Sequence, residues 1–256
     1  MSSLPPLLSV ITVVGVTGML ATTCVVLYGG AVKSGLGRGR SALLASVSAV
    51  LLGGWFALSA AIAAGGGYRA QLGHQIPWMP VVVVGFLVTL LALARAPVAA
   101  RALGAADMRI RLLLPHTFRI AGGTVFLAAM ALGQLPPLFA LPAGLGDIAI
   151  GIAAPIVARK LARGTADQTV KRFTLLGITD LIVALVLGAL VGFHLLPFIP
   201  PVPAISDLPI VLIPTVAVPL LLALHITTLL EAAQHSAPLP QSSTKRPTPQ
   251  PSQSPD

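Results

Sequence analysis

Three ionisable residues lie well inside long apolar stretches of the sequence: Asp147, Asp180 and His225. A fourth, Arg119, stands just inside the edge of another such stretch, and His116 stands just outside that edge. An ionisable side chain in hydrocarbon is costly, by about 2.5–3.5 kcal/mol on insertion scales, so a chain that keeps several has a use for them. Carboxylates and imidazoles that take up and release protons are the working parts of proton-coupled carriers. The same residues also serve as cement, because an arginine and an aspartate on facing helices neutralise each other.

Depth along each helix decides whether these groups can meet. At a rise of 1.5 Å per residue, Asp180 lies roughly 10 Å, His225 about 8 Å and Asp147 about 16 Å from the Arg119 side of the layer. Arg119 is shallow, but its side chain can reach along its own helix. Arg119, Asp147, Asp180 and His225 therefore form one candidate intramembrane polar site, provided their helices face one another. Residues three and four apart share a helix face. Around Asp147 these are Ala143, Gly144, Ile150 and Gly151; around Asp180 they are Leu176, Gly177, Val183 and Ala184. Gly122 and Gly123 follow Arg119, and Gly188 and Gly192 make a GxxxG spacing. Such small-residue faces predict helix–helix contact rather than lipid contact, within one chain or between the chains of a homo- or hetero-oligomer. The surroundings of His225 (Leu221, Leu222, Thr228 and Leu229) say less.

The elements that carry these residues are seven apolar stretches near 8–29, 41–64, 77–94, 117–134, 138–158, 173–193 and 208–230. Each approaches or exceeds the roughly 20 residues that cross about 30 Å of hydrocarbon. None alternates apolar and polar residues as barrel strands do. Composition agrees: of 256 residues 55% are hydrophobic and only 9% charged, with a mean hydropathy of +0.93. Soluble domains carry about 25% charged residues. The expected fold is an all-α, polytopic bundle of seven transmembrane helices, multi-pass in a cell membrane, with residues 1–231 as the membrane domain. The N-terminal MSSLPPLL has no basic segment, so the first stretch reads as a retained span.

Fifteen of the sixteen Lys and Arg residues fall on one side of this layer. They are Lys33, Arg38 and Arg40; Arg95, Arg101, Arg109, Arg111 and Arg119; Arg159, Lys160, Arg163, Lys171 and Arg172; and Lys245 and Arg246. Only Arg69 falls on the other, which also carries Asp207. The positive-inside rule then predicts N-terminus out and C-terminus in. The net charge of +9 is spread over short connections, so its expected partner is anionic lipid head groups and not nucleic acid. The segment 232–256, rich in Pro, Ser and Gln, reads as a disordered tail. The Ala64-Gly65-Gly66-Gly67 run reads as a helix stop, and Pro155, Pro214 and Pro219 as kinks.

Several chemistries lack their residues. One cysteine, Cys24, excludes a disulfide framework and a four-cysteine metal site in one chain. There is no Walker A motif, no HExxH and no lysine in the last stretch, and no catalytic, metal or cofactor-binding residue is assigned. Three functions follow in order: a small-molecule or ion transporter with a protonatable site, a non-catalytic membrane scaffold or assembly partner, and a haem protein ligated by His116 or His225. The haem reading is the weakest, because His116 and His225 are expected at different depths.

Overall fold

A computed structural model describes residues 5–69, 78–164, 167–193 and 203–235. Among these residues the chain is helical throughout, with no strand. The helices are α1 (Pro6–Lys33), α2 (Arg38–Ala64), α3 (Trp78–Ala94), α4 (Pro97–Leu103), α5 (Met108–Arg111), α6 (Arg119–Ala131), α7 (Pro137–Ala162), α8 (Asp167–Gly192) and α9 (Val218–His235). A 3-10 turn over Leu114–Phe118 leads into α6, and a π turn over Ile213–Ala217 leads into α9.

Proline and glycine punctuate these helices as their backbone chemistry requires. Prolines open α1, α4 and α7, where the missing N–H would have no partner in any case. Gly35 and Gly66, with φ of 78° and 75°, adopt the left-handed conformation after α1 and α2. There the N–H groups of Leu36 and Gly67 turn back onto the carbonyls of Ala31 and Ile62.

Six helical segments are long and apolar enough to cross a membrane, and the pair α3 and α4, bent by 82°, supplies a seventh if it is one span. Several of the expected boundaries shift, the sixth stretch for example starting at Gln168 rather than 173. The fourth crossing segment runs over Met108–Ala131 and not from 117, because the turn at Leu114–Phe118 continues the helical path through Leu112 and Leu113, both buried. The last starts at Ile213 rather than 208, after an irregular stretch. At its far end α9 continues to His235, past the boundary at 231; residues 236–256, with Lys245 and Arg246, lie outside the described residues, as do His74 and His194.

The last segment, Ile213–Glu231, is the axis of the bundle, with 78% of its most apolar window buried. Helices α3 and α8 pack on it, α6 and α7 cross at close range beside it, and α1 leans on α6. The α6–α7 approach depends on glycine. A methyl group added at Gly123 would collide with the Gly144 carbonyl, and one at Gly151 with Ile120. Helices α2 and α8 are peripheral.

Pro219 cannot donate the helical hydrogen bond to the Thr215 carbonyl four residues earlier. Trp55 of α2 supplies that donor: its indole Nε1 donates to Thr215 O at 2.9 Å. Ser59 meets the Thr215 hydroxyl at 2.7 Å and the Tyr68 hydroxyl at 3.2 Å.

Ion pairs fasten both ends. Lys33 Nζ and Arg111 Nε donate to the same oxygen of Asp107, at 2.5 and 2.8 Å. Partial burial pushes the Asp107 carboxyl up, but the bonds and charges of Lys33 and Arg111 outweigh it and hold the group below its usual 3.8. At the opposite end Arg69 Nε donates to Asp207 Oδ1 at 2.7 Å.

Candidate functional site

Arg119 opens α6, and its side chain is fully buried. The preceding turn aims it across the bundle, where its nitrogens divide between two helices. Nε donates to Asp147 Oδ1 of α7 at 2.7 Å. Nη2 donates to Asp180 Oδ2 of α8, and Nη1 to the Gly177 carbonyl of α8 at 3.5 Å. One guanidinium thus binds two carboxylates and a backbone oxygen. Charge-assisted bonds of this kind are the strong ones, and they are stronger still away from water.

Glycine makes the room. The Asp180 carboxylate occupies the place a side chain at Gly146 would take, and the His225 ring occupies that of Gly177. Gly122 lies beside Asp147 Oδ2. The small residues that flank the acids in the sequence are therefore seats for the charged groups as well as contact points between helices.

His225 reaches the cluster from α9. Its ring stacks on His116 with centroids 3.9 Å apart and planes 30° from parallel. Phe173 of α8 borders both, with centroids 5.8 Å from His116 and 5.6 Å from His225. Both histidines are fully buried, and all four ring nitrogens lack a hydrogen-bond partner among the described residues, as does the hydroxyl of Thr174. A neutral imidazole carries one donor and one acceptor, so each ring keeps unused hydrogen-bonding capacity.

The structure brings together all four residues of the candidate site, Arg119, Asp147, Asp180 and His225. His116 joins them. The expectation that His116 sits near the interface, at a depth different from His225, is corrected: Leu114–Phe118 folds inward and makes it the stacking partner of His225. The sequence signal for this was the Leu112-Leu113-Leu114 run, which moves the edge of the apolar segment past His116. Two rings stacked face to face leave no gap for a porphyrin between them, so the haem reading gains no support from this geometry. Among the described residues no group of three or more His, Cys, Asp or Glu side chains is placed to hold a metal ion.

A cavity of about 240 Å³ lies on the Arg69 side of the cluster. Its walls come from α3, α6, α7, α8 and the start of the last segment, and include Val84, Phe126, Phe139 and Val186. They are almost wholly apolar, and among the described residues Asp147 is the only ionisable one that lines the cavity. A second pocket of about 20 Å³, enough for one water molecule, lies against α1 and is lined by Thr12, Arg119 and Asp147 among others. Asp147 therefore borders both spaces. With both aspartates ionised, the two carboxylates and one guanidinium carry one net negative charge.

The chain belongs to the family described as Domain of unknown function (DUF8737), whose sequence profile matches residues 76–232, the part from α3 to α9 that holds the whole cluster. No curated protein and no solved structure matches it.

Proposed function

For this member of the DUF8737 family we propose a membrane carrier that moves a small molecule or ion together with, or in exchange for, a proton bound at the Asp147–Arg119–Asp180 cluster. The observation that carries this reading is the position of Asp147. It is held by a buried guanidinium and at the same time is, among the described residues, the only ionisable part of an almost wholly apolar cavity wall. A carboxylate that only fastens helices has no need to line a cavity, whereas one that binds a proton and a substrate in turn does.

The carrier crosses a cell membrane seven times, α3 and α4 counting as one bent span, with the N-terminus outside and the C-terminus inside. The pairing of Lys33 with Asp107 and of Arg69 with Asp207 supports this alternation of sides, since each ion pair joins two connections assigned to the same side; which side is inside rests on the Lys and Arg distribution. Exposed inner arginines and lysines such as Arg38, Arg40 and Arg172 meet anionic lipid head groups.

The test is proton movement in pyranine-loaded proteoliposomes given octanol, octanesulfonate or octyltrimethylammonium. One of these should shift lumenal pH beyond the change seen in protein-free liposomes, and Asp180→Asn, recovered folded, should abolish the shift. If none of the three does so, the carrier reading falls. A scaffold reading then leads, and one observation favours it: three nitrogens of Arg119 are used on α7 and α8, as in a purely structural clamp.

A further inference from the structure

The cluster lacks one positive charge. Among the described residues Arg119 is the only cation in contact with Asp147 and Asp180. The other ionisable groups facing it are His225 on the last segment and His116 in the turn before α6. They are stacked on each other in full burial, and neither has a carboxylate partner among the described residues. From α1 the faces turned to the ion pair are Thr12, Gly15, Val16 and Met19, none of them charged. A net negative charge in so apolar a setting is unfavourable unless something neutralises it. Asp147, itself buried, is the member of the cluster that lines the cavity. The walls above it repel a bare hydrated ion and suit an apolar body.

The mouth of the cavity narrows the choice further. Val84 of α3 and Val186 of α8 both line it, yet they are 57% and 52% exposed. They belong to two helices that have little contact with each other, so the gap between them opens on the lipid-facing side of the bundle. A cavity of about 240 Å³ leaves room for an apolar body larger than a few water molecules.

Resting on the carrier reading above, we infer that the substrate is a monovalent organic cation with an apolar body, which enters from the lipid between α3 and α8 and replaces a proton at Asp147. When the site is empty, a proton held by the two carboxylates supplies the missing charge. As the cation seats its head on Asp147, that proton leaves to water, and the charge of the site is the same before and after. The coupling is an exchange: one cation in one direction, one proton in the other.

Octyltrimethylammonium tests this, because its charge is fixed and it cannot carry a proton of its own. Full-length protein in lipid nanodiscs is titrated with it, with octanol and with octanesulfonate, by calorimetry in two buffers of different ionisation enthalpy. The cation should bind at least tenfold more tightly than octanol and release about one proton per site; octanol should release none. Asp147→Asn should remove both the preference and the release. Should that variant not fold, Gly188→Leu, which fills the cavity beside Phe139, should abolish binding of cation and alcohol alike. Equal binding of cation and octanol without proton release overturns the inference, as does cation binding that survives Gly188→Leu. The carrier reading fails separately: binding with proton release but no flux in proteoliposomes removes transport and leaves the site, whereas proton-linked flux of octanol or octanesulfonate keeps transport and removes the cation.

Discussion

Helix α2 and the segment leading through α9 are close in hydropathy, at 1.9 and 2.0, yet one is the rim of the bundle and the other its axis. In the apolar window of α2 17% of the residues are buried; in that of Ile213–Glu231 the figure is 78%. Hydropathy records whether a segment can leave water. It does not record whether the segment then meets lipid or protein, since lipid tails are as apolar as leucine. Polar detail separates the two cases. The axis carries His225, Thr227 and Thr228, all buried, and a carbonyl at Thr215 that needs a donor from outside its own helix. Helix α2 instead turns Leu43, Val47 and Val50 outward.

The largest effect that sharpens this contrast comes from the cluster beside the axis. Arg119→Met leaves one buried and one partly buried carboxylate without a cation, and loss of one partner in a buried ion pair costs about 3–5 kcal/mol. Denaturation in mild detergent should show this as a large loss of stability or a failure to fold. The triple variant Arg119→Met, Asp147→Leu, Asp180→Leu should recover most of it, because apolar replacement of a whole buried triad is often neutral or stabilising. Failure of the triple variant to recover would mean that the three side chains hold the bundle through more than their mutual charge.

A smaller effect compares axis and rim directly. Leu221 is 2% exposed and Val50 73%. Leu221→Ala should cost about 2 kcal/mol, at the low end of core truncations. Val50→Ala should stay within about 0.5 kcal/mol. Equal losses at the two positions would show that α2 is covered by another chain in the membrane, and would break the contrast.

The smallest effect lies outside the apolar layer. The folded state holds the Asp107 carboxyl below 3.8, so its contribution is present above that value and is lost as pH falls through the depressed one. Asp107→Asn should flatten the decline in stability on the acid side of pH 4 or so and leave stability near neutrality slightly lower. Thermal melts across that range would read both.

Much of the site could be read in the sequence because intramembrane charge is rare and its seats are small. Asp147 and Asp180 stood out as acids in apolar runs, with glycine and alanine at helical spacing, and Arg119 stood out as a cation with the reach to join them. His225 could be named but not placed, because its leucine neighbours suit lipid and core equally. His116 was misplaced for a different reason: the edge of its apolar segment was set at the first uninterrupted helix, although the turn before it continues inward. The bend between α3 and α4 was not legible either. Ala96-Pro97 signals a new helix start, but the direction of that helix is set by its packing under α1, and no local pattern encodes it.

The hydrogen bond from Trp55 to Thr215 makes the protein its own optical probe. The sequence contains two tryptophans, Trp55 and Trp78. With Trp78→Phe, a single emitter remains, and its indole N–H is bound at the point where the axis helix lacks one of its own rungs. Any rearrangement that swings the axis away from α2 must release that N–H and move the ring off Phe86, on which it stacks at 4.5 Å. Emission colour and quenching then follow the motion of the bundle in real time, without a label and before any substrate has been identified.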